Sequence, residues 1–198
     1  MEILQLFNGI PKTRLLARVT AALDDGELAI IPTDTNYAAV CSLNSKLGIN
    51  RLYALKTGKS EKKITLFCAD LTDISLYATV SNQAYRVMKS LIPGPYTFIL
   101  PASRMVPKMV LTKRRTVGIR NPDHPACRQI PAKLQTALLA LSVKEIAVKD
   151  DSISSLEDNF RGSVAFLLDG GSINSESSTI LDLTGEQCVI VREGKGEI

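Results

Sequence analysis

Histidine, cysteine and tryptophan are scarce in this sequence, which has one histidine, four cysteines and no tryptophan. No CxxC pair occurs, and the cysteines are widely spaced in or beside apolar runs: Cys41, Cys68, Cys127 and Cys188. These features argue against a metal site built from soft ligands and against a disulfide framework, and they favour buried, reduced thiols in a cytoplasmic protein. A Ser-His-Asp site would have to use His124, and no nucleophile elbow accompanies it.

Long apolar runs are also missing, so the sequence predicts no membrane span. The first residues, MEILQLFNG, lack the basic start and cleavage site of a signal peptide and resemble a first strand. No Gly-rich dinucleotide fingerprint or Walker loop is present, so a bound nucleotide would have to be held in another way. With 198 residues, 45% hydrophobic and 22% charged, the chain fits one globular domain covering residues 1–198.

One stretch combines a buried strand with a polar end. Residues 29–31 are apolar, Pro32 cannot donate to a strand ladder, and the polar residues 33–36 precede Tyr37. A strand that ends in hydroxyls and a carboxylate presents hydrogen-bonding groups at the edge of a sheet. The same residue types also form capped turns, and taken alone they favour the turn.

Helical and strand patterns alternate along the first half of the chain, and strands dominate the second half. Helices are predicted after Pro11, from Lys46, over Asn82–Leu91 and from Pro125 to Gln135, with a shorter one within 149–159. Strands are predicted over residues 3–6, 29–31, 37–41, 64–69, 96–100, 116–120, 137–143, 164–168, 179–183 and 189–192. This order predicts an α/β fold around a mixed, twisted sheet.

Several motifs occur in one order: IPTDTNY, the helix that runs to Lys56, ITLFCADL, PGPYTFIL, TVGIRNPDHP, STILDLT and VIVREG. Together they resemble the YrdC/Sua5/YciO family over nearly the whole chain, and the YciO branch most. The resemblance implies a YrdC/RibB-like twisted, mixed-sheet open barrel with flanking helices and a deep, positively charged cavity. Known members make L-threonylcarbamoyl-AMP from threonine, bicarbonate and ATP for threonylcarbamoyladenosine in tRNA, and double-stranded RNA binding has been attributed to the family.

The resemblance also implies roles for seven residues. Lys56 and Ser142 would act at the phosphates as the catalytic pair, and Thr116 and Arg192 would complete the ATP site. On the amino-acid side it implies Thr35, Arg120 and Ser178, with Arg120 holding the carboxylate. Mg²⁺ would accompany the nucleotide without a dedicated carboxylate cage, and no other metal site is expected.

Each of these residues has a simpler alternative. The threonines and serines could make local strand-end or turn bonds, and the arginines could form surface ion pairs. Lys56 could be a solvated loop charge. Because the motifs occur together and in order, the pocket is the favoured interpretation.

Six positions depart from the family pattern. Gly58 replaces the arginine of a Lys-x-Arg loop, Lys62 an asparagine of the same loop, and Ala38 a glycine. Phe67 replaces a histidine, Ala140 a polar residue, and Lys144 an asparagine. Losing such contacts lowers transition-state binding, so we expect a slower reaction or another small acid in place of threonine. One alternative is a non-catalytic double-stranded RNA or tRNA-binding protein that uses the basic segment 108–120, which fits the net charge of +4. Another is a vestigial member that binds a nucleotide without turnover.

Overall fold

The structure is a computed structural model that describes residues 1–7, 9–55, 64–146, 150, 152–173 and 176–198. These residues form ten strands, six α-helices and one 3₁₀ helix. The strands are β1 Glu2–Gln5, β2 Ala29–Pro32, β3 Tyr37–Ser42, β4 Thr65–Phe67, β5 Tyr96–Pro101, β6 Thr116–Arg120, β7 Leu138–Ser142, β8 Phe166–Asp169, β9 Thr179–Asp182 and β10 Val189–Arg192. The helices are α1 Thr13–Asp24, α2 Lys46–Ala54, α3 Leu71–Tyr77, α4 Asn82–Leu91, α5 Pro125–Leu134 and α6 Ile153–Phe160, and the 3₁₀ helix is Val143–Ile146.

All ten described strands belong to one mixed sheet with the order β1-β8-β2-β3-β7-β4-β6-β5-β9-β10. Strands β2 and β3 form an antiparallel hairpin in which Pro32 lies opposite Tyr37. Parallel pairs join β1 and β2 to β8, β4 to β6, and β5 to β9. The predicted α/β fold with a mixed sheet and flanking helices is therefore confirmed.

The two faces of the sheet are packed differently. On the first face, α2, α3, α4 and α6 bury a continuous core that includes Leu52, Met88 and Phe160. On the second face, α1 and α5 contribute a smaller core that includes Val19 and Ile130. This second core contains residues of β2, β3, β4 and β7 but none of β5, β6 or β9, so that part of the second face lacks a helix layer among the described residues.

The segment after β4 departs from the predicted strand 64–69. The side-chain amide of Asn121 donates to the carbonyls of Cys68 and Ala69 at 2.8 and 2.7 Å, so these carbonyls bond a side chain rather than continuing a strand ladder. Helix α3, which follows, is not predicted by the sequence pattern. Its N-terminus is capped by Asp70, whose carboxylate accepts from the Asp73 amide at 2.9 Å.

The cysteine prediction is correct for three residues and wrong for the fourth. Cys41, Cys68 and Cys127 are buried, whereas Cys188 is exposed. Cys188 lies in the turn before β10, a strand whose first three residues are also exposed. Among the described residues, no helix is both long enough and apolar enough to cross a membrane.

Candidate functional site

A cavity of about 260 Å³ lies on the second face of the sheet, next to the part packed by α1 and α5. Alternate residues of a strand point to the same face. On β6 these are Thr116, Gly118 and Arg120, and all three line the cavity. A Cβ added at Gly118 would lie 3.6 Å from the Thr97 methyl group, an ordinary contact distance. The glycine thus leaves space that a side chain would otherwise occupy.

The structure brings together most of the residues that the resemblance implies. Five of them line the cavity: Thr116, Arg120, Ser142, Ser178 and Arg192. A sixth, Thr35, is fully buried and accepts a hydrogen bond from Arg120. Lys56, Gly58 and Lys62 lie outside the described residues.

Arg120 is held at one end of the cavity. Its Nη2 donates to Thr35 Oγ1 at 2.9 Å and to Asp34 Oδ1, with which it forms an ion pair. The second oxygen of Asp34 accepts from the Asp123 amide at 2.9 Å. The ring of Phe67 lies 5.9 Å from the guanidinium carbon. Hydrogen bonds therefore hold one edge of the Arg120 guanidinium, and the Phe67 ring covers one of its faces.

Residues 33–36 are both a capped turn and part of this site. Thr33 Oγ1 accepts from the amides of Thr35 and Asn36 at 3.1 and 3.2 Å and donates to the Asn36 carbonyl at 2.6 Å. Thr33 therefore makes the local bonds of a turn, while Thr35 faces Arg120. The two interpretations of this stretch are compatible because different residues carry them.

A second group of side chains lies where β7 passes into the 3₁₀ helix. Ser142 Oγ donates to Asn36 Oδ1 at 3.1 Å and accepts from the Lys144 amide at 3.3 Å. Lys144 and Glu145 also line the cavity. The position at which the resemblance expects an asparagine thus places a cation at the cavity.

Arg192 and Ser178 form the third group. Arg192 donates from Nε and Nη2 to the Ser178 carbonyl at 3.2 and 2.8 Å. The hydroxyls of Ser178 and Thr97 lie 2.9 Å apart. At the cavity edge, the hydroxyls of Thr112 and Thr116 are 2.8 Å apart. All four of these hydroxyl residues line the cavity, so a bound ligand can also hydrogen-bond to them.

The charges of the described lining residues favour an anion. Arg120, Lys144 and Arg192 are cationic, and Glu145 is the only carboxylate among these residues. Burial lowers the pKa of the Arg120 guanidinium, and the negative charge of Asp34 partly offsets this. Arg120 stays charged because the pKa of arginine is so high. Within the described residues, no group of three or more His, Cys, Asp or Glu could hold a metal.

Sequence reasoning missed four polar residues of the site, Asp34, Asn36, Thr97 and Thr112. Asp34 and Asn36 lie inside the motif IPTDTNY, where their residue types indicate a turn. Thr97 lies within PGPYTFIL, and its position on the cavity side of β5 follows only from the sheet register. Thr112 comes just before the basic residues 113–115 and carried no signal of its own.

Comparison with known proteins agrees with the motifs. The Sua5/YciO/YrdC family model, described as telomere recombination, matches residues 21–194. An uncharacterized protein of Haemophilus influenzae is 35% identical over 94% of this chain and 92% of its own length. The protein YciO of Escherichia coli K12 is 32% identical over 95% and 93%. The threonylcarbamoyl-AMP synthase of Vibrio vulnificus is 25% identical over 90% and 98%.

Solved structures show the same fold. The crystal structure of E. coli YciO matches with a TM-score of 0.90 and 29% identity, covering 99% of this chain and 97% of that one. Pyrococcus abyssi Sua5 complexed with L-threonine matches with a TM-score of 0.86 and 22% identity, covering 98% of this chain and 58% of that one. At this lower identity, the match with Sua5 concerns the fold alone.

Proposed function

The chain belongs to the Sua5/YciO/YrdC family. On that premise we propose that it binds ATP, bicarbonate and a small amino acid in the cavity and converts them to a carbamoyl adenylate, with release of pyrophosphate. Threonine is the first candidate amino acid, which would give L-threonylcarbamoyl-AMP for tRNA modification. Relatives that are named threonylcarbamoyl-AMP synthases support this choice. The observation that carries the proposal is the arrangement of Arg120, Ser142 and Arg192 around one cavity.

The cavity suits a reaction run by positioning and charge. The threonine amine and bicarbonate first give a carbamate and water. A carbamate oxygen then bonds to the α-phosphorus of ATP, and the bond to pyrophosphate breaks. This chemistry requires neutralised phosphates and a fixed carboxylate rather than a covalent nucleophile. Accordingly, the described lining residues include hydroxyls and cations but neither histidine nor cysteine.

We assign the amino-acid end to Arg120, with Thr35 beside it, and to Ser178, which lines the same cavity. Nε of Arg120 is buried and has no hydrogen-bond partner among the described residues. Because Nε is buried, a substrate carboxylate would pair with the part of the guanidinium that borders the cavity, in a charge-assisted contact. The Phe67 ring and the methyl group of Ala140 make this part of the cavity less polar.

We assign the phosphates to Ser142 and Lys144, together with Lys56, and the nucleoside to Thr116 and Arg192. Lys144 supplies a positive charge, but a lysine cannot reproduce the bidentate geometry of the arginine that Gly58 replaces. We therefore expect a slower reaction. Mg²⁺ would arrive with ATP, held mainly by phosphates and water, and would neutralise phosphate charge. Glu145 is the described carboxylate that could contact it or its water shell.

The test is pyrophosphate release and adenylate formation from ATP, bicarbonate, threonine and Mg²⁺. We expect product from the wild type and a loss of about tenfold in Ser142→Ala, because one phosphate hydrogen bond is removed. Ser90→Ala is the matched control, since Ser90 is an exposed serine of α4 that bonds the Val87 carbonyl. Lys56→Ala tests the cation that the resemblance implies.

Equal activity of Ser142→Ala and Ser90→Ala would remove the reaction from this cavity. ATP binding without product would point to another acid or another reaction at the same site. Absence of both ATP binding and product would overturn the proposal.

A second candidate function is binding of double-stranded RNA or tRNA. Lys108, Lys113, Arg114 and Arg115 are exposed, and the last three lie between Thr112 and Thr116 at the cavity edge. Such binding would depend on phosphates and shape, because tryptophan is absent and aromatic residues make up 5% of the chain. RNA affinity should then fall steeply with salt, whereas a nucleotide held inside the cavity should lose less affinity.

A further inference from the structure

The C-terminal segment, residues 193–198, reaches the turn that carries Asp34 and Thr35. Lys195 Nζ donates to the Asp34 carbonyl at 2.5 Å. The Asp34 carboxylate and the Thr35 hydroxyl both hold Arg120. Asp34 thus links the two side chains, because its carbonyl accepts from Lys195 and its carboxylate pairs with Arg120.

Hydrogen bonds fix the backbone on both sides of Lys195. The Lys195 amide donates to the Ser177 carbonyl at 2.8 Å. The Thr179 hydroxyl accepts from the Gly194 amide at 3.0 Å and donates to the Gly196 carbonyl at 2.7 Å. These bonds determine where the lysine side chain starts.

Only glycine fits at the two positions that flank Lys195. A Cβ at Gly194 would lie 2.2 Å from the Ser177 carbonyl oxygen, and a Cβ at Gly196 would lie 2.3 Å from the Tyr96 ring. Both distances are far below a van der Waals contact. The sequence Gly194-Lys195-Gly196 therefore lets the segment lie close enough for the lysine to reach Asp34.

We propose that Lys195 is a positioning residue of the amino-acid site, which holds the turn 33–36 and through it sets Arg120 for the substrate carboxylate. This role rests on the proposed function. Restraining the turn in the free protein lowers the ordering cost of binding, and the ammonium charge adds attraction for an anion. Loss of Lys195 removes both contributions, and each loss is expected to weaken binding of the substrate.

The first test needs no substrate. We expect the amides of Thr35 and Asn36, which bond Thr33 Oγ1, to exchange with solvent about tenfold faster in Lys195→Ala. Lys195→Arg should restore the wild-type rate. Lys89→Ala, which removes one exposed lysine charge from α4, should leave the rate unchanged. Unchanged exchange in Lys195→Ala would overturn the role.

The second test measures L-threonine affinity by calorimetry. We expect the dissociation constant to rise about fivefold to tenfold in Lys195→Ala and to stay within about twofold in Lys195→Arg and Lys89→Ala. Gly196→Ala keeps the lysine but displaces its backbone, so it should weaken threonine binding as Lys195→Ala does. A purely structural role would lower the melting temperature without changing the affinity of the folded variant, and that result would overturn the proposal.

Failure of the two ideas can be told apart. If the wild type binds no threonine, the proposed function fails for this substrate, while the exchange rates still decide whether Lys195 holds the turn. If the wild type binds threonine and Lys195→Ala binds it equally well, only the role of Lys195 fails.

Discussion

At the scale of single residues, the pair of Asp34 and Arg120 differs from the other described ion pairs. Its side chains are 10% and 8% exposed, whereas every side chain in the others is at least 35% exposed. Removing one member of a buried pair leaves an uncompensated charge in a place with little water. This pair is therefore important for stability as well as for binding.

We predict that Arg120→Ala lowers the free energy of unfolding by about 3–5 kcal/mol, because Asp34 is left buried and unpaired. Arg161→Ala, which breaks an exposed pair with Glu157, should cost less than about 1 kcal/mol. Urea unfolding of both variants measures the difference. The double variant Arg120→Ala/Asp34→Ala should lose less than the sum of the single losses, and strict additivity would contradict the coupling. Folded Arg120→Ala should also lose binding of the substrate carboxylate.

The resemblance implies a role for Arg120 but gives no sign of its partner. Arg120 enters the prediction because it lies in the motif TVGIRNPDHP. Asp34 lies 86 residues away along the chain, and the two residues meet only when β4 and β7 bring β6 and the β2–β3 hairpin into one sheet. Local pattern carries no information about such a contact.

At the scale of elements, α5 depends on the only histidine. His124 is its N-cap residue, and Nδ1 accepts from the Ala126 amide at 3.2 Å, which requires that nitrogen to be unprotonated. Burial lowers the pKa of His124 from the usual 6.5; Asp34 and Asp123 raise it and Arg128 lowers it, so the lowering prevails. The folded state thus binds the proton less readily than the unfolded chain does.

We predict a loss of stability in acid that is specific to this cap. A group whose pKa is lowered by folding contributes stability above the unfolded value, and that contribution declines as the pH falls below about 6.5. His124→Asn keeps an N-cap acceptor without titrating in this range. Unfolding free energies measured from pH 8 to pH 5 should fall more for the wild type than for His124→Asn. Parallel curves would show that His124 does not contribute.

Element prediction succeeded where one pattern was long and clearly ended. Helix α4 and strand β6 have the predicted bounds, since each lies between strong breaking or polar residues. Helix α3 was missed because it has only seven residues and no clear period. Two side chains cap its start: the Asp70 carboxylate accepts from the Asp73 amide, and the Asp73 carboxylate accepts from the Ala69 amide. The 3₁₀ helix at residues 143–146 was missed because four residues form no recognisable period.

At the scale of the whole molecule, the two cores explain how the thiols are distributed. Cys41 and Cys68 lie in the core on the first face, and Cys127 lies in the core on the second. Burial raises the pKa of Cys41 to about 12 and also raises the pKa of Cys68 and of Cys127. Cys188 lies outside both cores and is exposed.

We predict that one thiol per chain reacts with a thiol reagent under native conditions and that all four react in denaturant. Reaction requires the thiolate and access to it, and only Cys188 among the four has the access. Cys188→Ser should remove the native reaction, as measured by mass spectrometry of the labelled protein. Native labelling of a buried cysteine would contradict the packing described for its core.

The order of strands in the sheet could not be predicted from the sequence. Alternating helices and strands indicated a mixed sheet, but β8 lies between β1 and β2, and β9 lies beside β5. Such pairings depend on how segments that are far apart in the sequence pack against each other. The cavity depends on these pairings, because β5, β6 and β9 form the part of the second face of the sheet that no described helix covers.

The pairing of β1 with β8 also has a consequence for biosynthesis. Strand β1 pairs along its length with Phe166–Asp169, so its neighbour emerges from the ribosome only after most of the chain has been made. At about 5–20 residues per second, roughly 8–30 s separate the translation of the two strands. During this interval β1 lacks the strand with which it pairs, so Leu4, its one buried residue, remains without its native neighbours in the sheet.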